Sequence, residues 1–170
     1  LVFYHVKDIV NNKMLKKNIS SLLFIFVVFI IDRVSKISVI KFTEPLDEIS
    51  IQITSFLNLN LIWNDGIAFG LLSFDQKSYY SLLTFIICLI TLILIWVMLK
   101  AKGLEKIGFL MVIGGSLGNI FDRLYYSSVP DFIDFHYNNF HWFIFNVADI
   151  FISLGVMLLI ILEIFIKKQK

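Results

Sequence analysis

The chain has 170 residues, of which 58% are hydrophobic and only 16% charged, and its mean hydropathy is +0.84. Soluble domains average about 45–50% apolar and about 25% charged residues, so this composition excludes a soluble globular domain and indicates an integral membrane protein. The net charge of +2 says little about partners, and the lysines gather at the ends of apolar runs rather than on one face with aromatics, which argues against nucleic acid.

Residues 1–18 are mixed and carry Lys7, Lys13, Lys16 and Lys17. Ser20–Ile31 is apolar after its opening serines. Asp32, Arg33 and Lys36 follow, while Val34, Ile37, Val39 and Ile40 keep the apolar pattern going. The pattern predicts one helix over about 18–41, long enough to cross a bilayer core, which takes about 20 residues. Asp32 and Lys36 stand at i and i+4 and share a face. A cleavable signal sequence is not expected, because no small-residue site follows the apolar run. Residues 42–78 read as a long loop opened by Glu44-Pro45. Within it Ile49–Trp63 alternates apolar and polar, with a register change near Ser55-Phe56, which predicts a hairpin or small sheet at the membrane surface. Asn64-Asp65-Gly66 is a turn signal, and Ile67–Phe74 reads as a short interfacial apolar segment.

Further spans are predicted over about 79–99, 104–125 and 148–166, with a second polar, aromatic-rich loop at 126–147. Cys88 lies inside the second span and reads as a buried structural thiol. The expected fold is an all-α membrane protein of one domain, residues 1–170. It has four transmembrane helices, a small extracytoplasmic β element and the interfacial segment. Lysines at positions 7, 13, 16, 17, 100, 102, 106, 167, 168 and 170 place both termini and the short 2–3 turn in the cytoplasm. The long loops, poor in bases, then face outward, with Tyr79, Tyr80, Tyr125, Tyr126 and Trp142 at that interface.

This topology gathers the polar residues on the outer side: Asp32 and Lys36, Asn64 and Asp65, Asn119, Asp122 and Arg123, Asp131 and Asp134, Asn146 and Asp149. Ser116 lacks a histidine on a facing helix, so an activated serine is a poor reading. His136 and His141 with Asp131 or Asp134 offer a metal cluster in principle, but the His-x4-His spacing is loose and no HExxH is present; an interfacial histidine pair is the better reading. Carboxylates remain. Two that lie close can share a proton, one activating water and the other polarising a carbonyl. Each also has a plain reading. Asp149 suits the first turn of a helix with Asn146 as its cap, and local sequence favours that. Asp131 suits an ordinary loop, Asp32–Lys36 an intrahelical ion pair, and Gly114, Gly115 and Gly118 close helix packing.

Five segments together resemble the lipoprotein signal peptidase family, the type II signal peptidases of bacteria. They are Asp32-Arg-Val-Ser-Lys36, Asn64-Asp-Gly-Ile-Ala-Phe-Gly70, Gly114-Gly-Ser-Leu-Gly-Asn-Ile-Phe-Asp-Arg123, Val129-Pro-Asp-Phe132 and Phe145-Asn-Val-Ala-Asp149. The resemblance covers nearly the whole chain. Its departures are minor: Pro130 precedes Asp131, and the chain opens without Met.

The resemblance implies an aspartic endopeptidase at the outer surface of the bacterial cytoplasmic membrane. It would remove signal peptides from prolipoproteins, cutting just before a cysteine that carries a diacylglyceryl thioether. The catalytic pair carries over to Asp131 and Asp149. Asn64, Gly66, Asn119, Asp122, Arg123 and Asn146 match positions that shape the site or hold substrate, and Asp32 and Lys36 match a supporting polar pair. No metal or cofactor is implied. The partners are the lipid-modified substrate and membrane lipids, the inhibitor is the cyclic peptide globomycin, and a monomer is expected. Beside the resemblance, the Arg123 fork suits substrate carbonyls, and Phe69, Leu71 and Leu72 would cover a groove open to lipid. A polar-lined transporter is the main rival, disfavoured because the second span supplies almost no polar residue through its depth. A non-enzymatic assembly factor is the third reading, and would tolerate amides at the two aspartates.

Overall fold

The computed structural model describes residues 2–43, 50–65, 76–137 and 140–166. Four helices and four strands are present among them: α1 Val2–Thr43, β1 Ser50–Thr54, β2 Leu57–Asn64, α2 Gln76–Met98, α3 Gly103–Tyr126, β3 Val129–Tyr137, β4 Phe140–Phe145 and α4 Val147–Ile161, which runs on into a wider π-helical turn, Leu162–Ile166. The first helix starts well before position 18. Residues 2–17 contain neither glycine nor proline, so nothing local breaks it.

Three helices among the described residues are long and apolar enough to cross a membrane: Tyr80–Met98, Gly103–Tyr126 and Val147–Phe165. They differ in how much they bury: 56% of the α3 span lies inside the protein, against 17% for α2 and 11% for α4. Helix α3 is therefore the central post, and α1, α2 and α4 all pack on it. That position suits its sequence: of the four helices α3 carries the most glycines, Gly103, Gly108, Gly114, Gly115 and Gly118. Outward-facing residues of α1, α2 and α4, such as Leu22, Phe26, Phe85, Leu92 and Met157, are large, apolar and exposed, as a lipid-facing surface requires. In α2 the hydroxyls of Thr84 and Thr91 donate back to the Tyr80 and Ile87 carbonyls, so these two groups are satisfied within the helix.

Glycine permits the close approach of α3 to its neighbours. A methyl group on Gly115 would stand 2.5 Å from the Ala148 carbonyl oxygen, and one on Gly118 would stand 2.5 Å from Asp32 Oδ2. Below these contacts Met98, Leu110 and Ile113 form a buried apolar cluster with Phe24, Ile25, Leu94 and Leu117 against it. Gly103, at φ +57, turns the chain from α2 into α3 in a conformation that favours glycine.

The strands form one antiparallel sheet in the order β1-β2-β3-β4. The hairpin expected in the first outer loop is there: β1 and β2 are joined by the two-residue turn Ser55-Phe56. The stretch 126–147, expected to be a loop, is instead largely β3 and β4. Its first residues, Val129, Pro130, Asp131 and Phe132, are buried consecutively, so the period-2 signal of a half-exposed strand is missing. The β2–β3 pairing joins residues far apart in sequence, with Ile62 opposite Asp131 and Asn64 opposite Val129.

Candidate active site

The polar residues converge where the ends of α1 and α3, the start of α4, and strands β2 and β3 meet. At the base lies a buried group of four charges. Lys36 Nζ stands 3.0 Å from Asp32 Oδ1 and 2.6 Å from Asp122 Oδ2. Arg33 reaches the same two carboxylates, at 2.9 Å for Asp32 and 2.5 Å for Asp122. Two cations face two anions, so the group is neutral as a whole, the condition under which charges tolerate burial. Asp32, Lys36 and Asp122 are all fully buried. The Arg33 guanidinium also lies over the Phe121 ring, 5.0 Å from its centroid.

Asn119 connects this base to the carboxylates above. Its Oδ1 accepts from Lys36 Nζ at 2.8 Å, which leaves its amide nitrogen to donate to Asp149 Oδ1, also at 2.8 Å. Asp149 is held from a second direction by the start of α4. Asn146 caps that helix: its side chain accepts the Asp149 N–H, and its own backbone N–H donates to Asp149 Oδ2, each at 3.1 Å. Asp32 ties down the same helix start by accepting the Ala148 N–H at 3.0 Å.

Asn146 then reaches across to β3, its amide nitrogen 2.6 Å from Asp131 Oδ1. The other oxygen of Asp131 accepts from Asn64 of β2 at 2.9 Å. Asp131 is buried, while Asp149 is partly open and Asn64 exposed. Burial is the main cause that raises the Asp131 carboxyl from 3.8 to about 6. The charge of Asp149 adds to it, and the Asn64 and Asn146 hydrogen bonds and Lys36 oppose it. One continuous path of hydrogen bonds thus runs from the buried charges through Asn119 and Asp149 to Asn146, Asp131 and Asn64.

Of the residues singled out in the sequence, Asp32, Lys36, Asn64, Asn119, Asp122, Asp131, Asn146 and Asp149 all lie on this path. Arg123 lies beside it. Its Nη1 donates to the Asn119 carbonyl at 3.1 Å, and its buried Nε has no partner among the described residues. Gly66, Phe69, Leu71 and Leu72 fall outside the described residues. Arg33 is the residue that sequence reasoning missed. Next to Asp32 in the chain it does not share the i, i+4 face, and only its length lets it return to the cluster. Asp134, His136 and His141 come together elsewhere, on the β3–β4 hairpin.

Two helix-borne or strand-borne carboxylates held by amides, one partly open and one covered, form an arrangement able to divide general base and general acid roles. The comparisons with known proteins agree in kind. A family profile described as Signal peptidase (SPase) II matches residues 24–165. The lipoprotein signal peptidase of Pelagibacter ubique (strain HTCC1062) is 48% identical over 160 residues, covering 94% of this chain and 96% of its own. The one from Francisella tularensis subsp. novicida (strain U112) is 45% identical over 124 residues, covering 71% and 77%. A solved structure of a bacterial membrane enzyme superposes with a TM-score of 0.72 at 28% identity, covering 89% of this chain and 91% of that one. The chain belongs to the signal peptidase II family of membrane-embedded bacterial aspartic endopeptidases.

Proposed function

We propose that this peptidase cleaves the signal peptide from diacylglyceryl-modified prolipoproteins just before the lipidated cysteine, with Asp131 and Asp149 as its catalytic pair. The observation that carries the reading is the double engagement of Asn146. It donates to Asp131 and caps the helix that presents Asp149, so one residue sets the relation between the two carboxylates.

The environments divide the roles. Asp149 sits at a helix N-terminus, with the amide of Asn119 and the N–H of Asn146 on its two oxygens, and is the more open of the two carboxylates. Asp131 is buried and its carboxyl is raised to about 6, so in this reading it is the carboxyl assigned the shared proton. Asp149 takes a proton from water as the water oxygen bonds to the scissile carbonyl carbon. Asp131 donates its proton to the carbonyl oxygen. The tetrahedral species then collapses: the hydroxyl proton returns to Asp131, Asp149 protonates the leaving nitrogen, and the C–N bond breaks. Both carboxyls end as they began. The Arg123 fork, whose buried Nε has no partner among the described residues, holds a backbone carbonyl of the bound peptide.

In this reading α1 is a fourth span, its exposed Leu22, Leu23, Phe26 and Val27 facing lipid. Both termini lie in the cytoplasm and the sheet lies outside, as the lysine distribution supports. The enzyme acts as a monomer. Cleavage of a diacylglyceryl-modified prolipoprotein peptide in detergent tests the proposal. The unmodified protein cleaves, while Asp131→Asn and Asp149→Asn fold but do not. Normal cleavage by either amide variant would remove the pair.

A further inference from the structure

A second polar cluster lies on the β3–β4 hairpin. Asp131 and Asp134 are three residues apart on one strand, so their side chains leave opposite faces of the sheet. Asp134 is fully buried, and both its oxygens approach Nδ1 of His141, at 3.0 and 2.8 Å. His141 stands directly opposite His136 in the β3–β4 register, and the two imidazoles stack at 5.3 Å with 25° between their planes. One ligand atom from each of Asp134, His136 and His141 falls within 4.8 Å of the others.

An Asp–His pair that ties β4 to β3 accounts for Asp134 and His141. It leaves His136 unexplained. The Nδ1 atom of His136 is buried and has no hydrogen-bond partner among the described residues, and buried polar atoms without partners are rare in folded proteins. A cation bound among the three side chains gives that nitrogen a partner, with imidazole nitrogens and a carboxylate oxygen as ligands.

We propose that Asp134, His136 and His141 form a divalent-cation site of the zinc class on the hairpin, separate from the catalytic pair. Two imidazoles and one carboxylate are ligands that suit zinc rather than magnesium or calcium, which prefer all-oxygen shells. Three protein ligands leave one tetrahedral position for water, on the side where His141 is exposed. The bound ion pins β4 to β3. Strand β4 runs directly into Asn146, so the ion steadies the approach to the active site without entering the hydrolytic step.

The test uses the full chain, freed of any affinity tag and stripped with chelator, titrated with zinc chloride by calorimetry in detergent. The expected result is one zinc per chain and a raised melting temperature, with no response to magnesium chloride. His136→Gln removes a side chain whose Nδ1 has no hydrogen-bond partner among the described residues, so the variant keeps its cleavage activity in chelator while its zinc affinity falls at least about tenfold. X-ray absorption on the zinc-loaded unmodified protein gives an independent reading. It should show two imidazoles and oxygen ligands at about 2.0–2.2 Å and no sulfur. No zinc uptake, equal affinity in His136→Gln, or a shell lacking two imidazoles or containing the Cys88 sulfur would each overturn the site.

Discussion

Asn146 and Asp131 meet at 2.6 Å, amide nitrogen to carboxylate oxygen, across two elements that the chain builds separately. The same asparagine exchanges two hydrogen bonds with Asp149 at the start of α4. Helix capping and the alignment of the two carboxylates are therefore one structural fact, and substitutions separate them.

Asn146→Ala removes both. Loss of the cap lowers stability by about 1 kcal/mol, and the released carboxylates lower kcat by about 10²-fold, the scale of a misplacement near 1 Å. Asn146→Ser retains a capping oxygen but has no amide to reach Asp131. Its melting temperature should return to that of the unmodified protein while kcat stays low. Recovery of kcat in the serine variant would show that the cap alone matters.

The raised Asp131 carboxyl makes both stability and rate depend on pH. Below about pH 4 both folded and unfolded chains hold the proton, and the site costs nothing. Between 3.8 and about 6 the folded state binds the proton more tightly. Stability therefore falls as pH rises through this window, by about 3 kcal/mol in all, and is level above it. In the rate profile, kcat/KM should fall above about pH 6 as the free enzyme loses the Asp131 proton. The Asn64 hydrogen bond favours the ionised form, so Asn64→Ala should move that limb to higher pH. A limb that stays put, or moves down, would assign the titration to another group.

The membrane class, the helix positions from residue 76 onward and the first hairpin were legible because apolar runs and period-2 alternation are local signals. The β3–β4 hairpin was not, because Val129–Phe132 is buried without alternation. Asp149 shows why the site itself is hard to read from local pattern. An acid in the first turn of a helix with an asparagine cap is a sufficient local explanation, and it is also true in the structure. What local pattern omits is the partner 2.6 Å beyond the cap, supplied by a strand that pairs with β2 from the other loop. Arg33 was hidden for a related reason: only the packing of α1 on α3 brings Asp122 within its reach.

The buried charges under Asn119 make a sharper case. Lys36→Met leaves Asp32 and Asp122 facing Arg33 alone, an unbalanced buried anion that should cost about 3–5 kcal/mol. Combining it with Asp122→Asn restores neutrality, so the double variant should be more stable than Lys36→Met by itself, a non-additivity expected of residues in contact. Thermal unfolding in detergent measures this. Strictly additive losses would mean that the four charges do not act as one group. Cleavage should remain low in the double variant at any temperature, because Asn119 loses the Lys36 contact that orients its amide toward Asp149.

Arg123 tests how substrate is held. Among the described residues it makes one hydrogen bond, to the Asn119 carbonyl of its own helix, and its buried Nε has no partner. A planar fork with an unused donor is suited to a peptide carbonyl, whereas a lysine ammonium is a point charge on a flexible four-carbon stem. Arg123→Lys preserves the charge and removes the fork. A hydrogen bond from a charged group is worth about 1.5–3 kcal/mol, so kcat/KM should fall by about tenfold to 100-fold. The melting temperature should hardly change, because the group has no partner in the buried charge cluster. If the contact is made equally in the ground and transition states, the loss appears in KM; if it forms only as the carbonyl becomes tetrahedral, it appears in kcat. Unchanged kinetics in the lysine variant would remove Arg123 from the substrate contacts and leave it as a local brace for the end of α3.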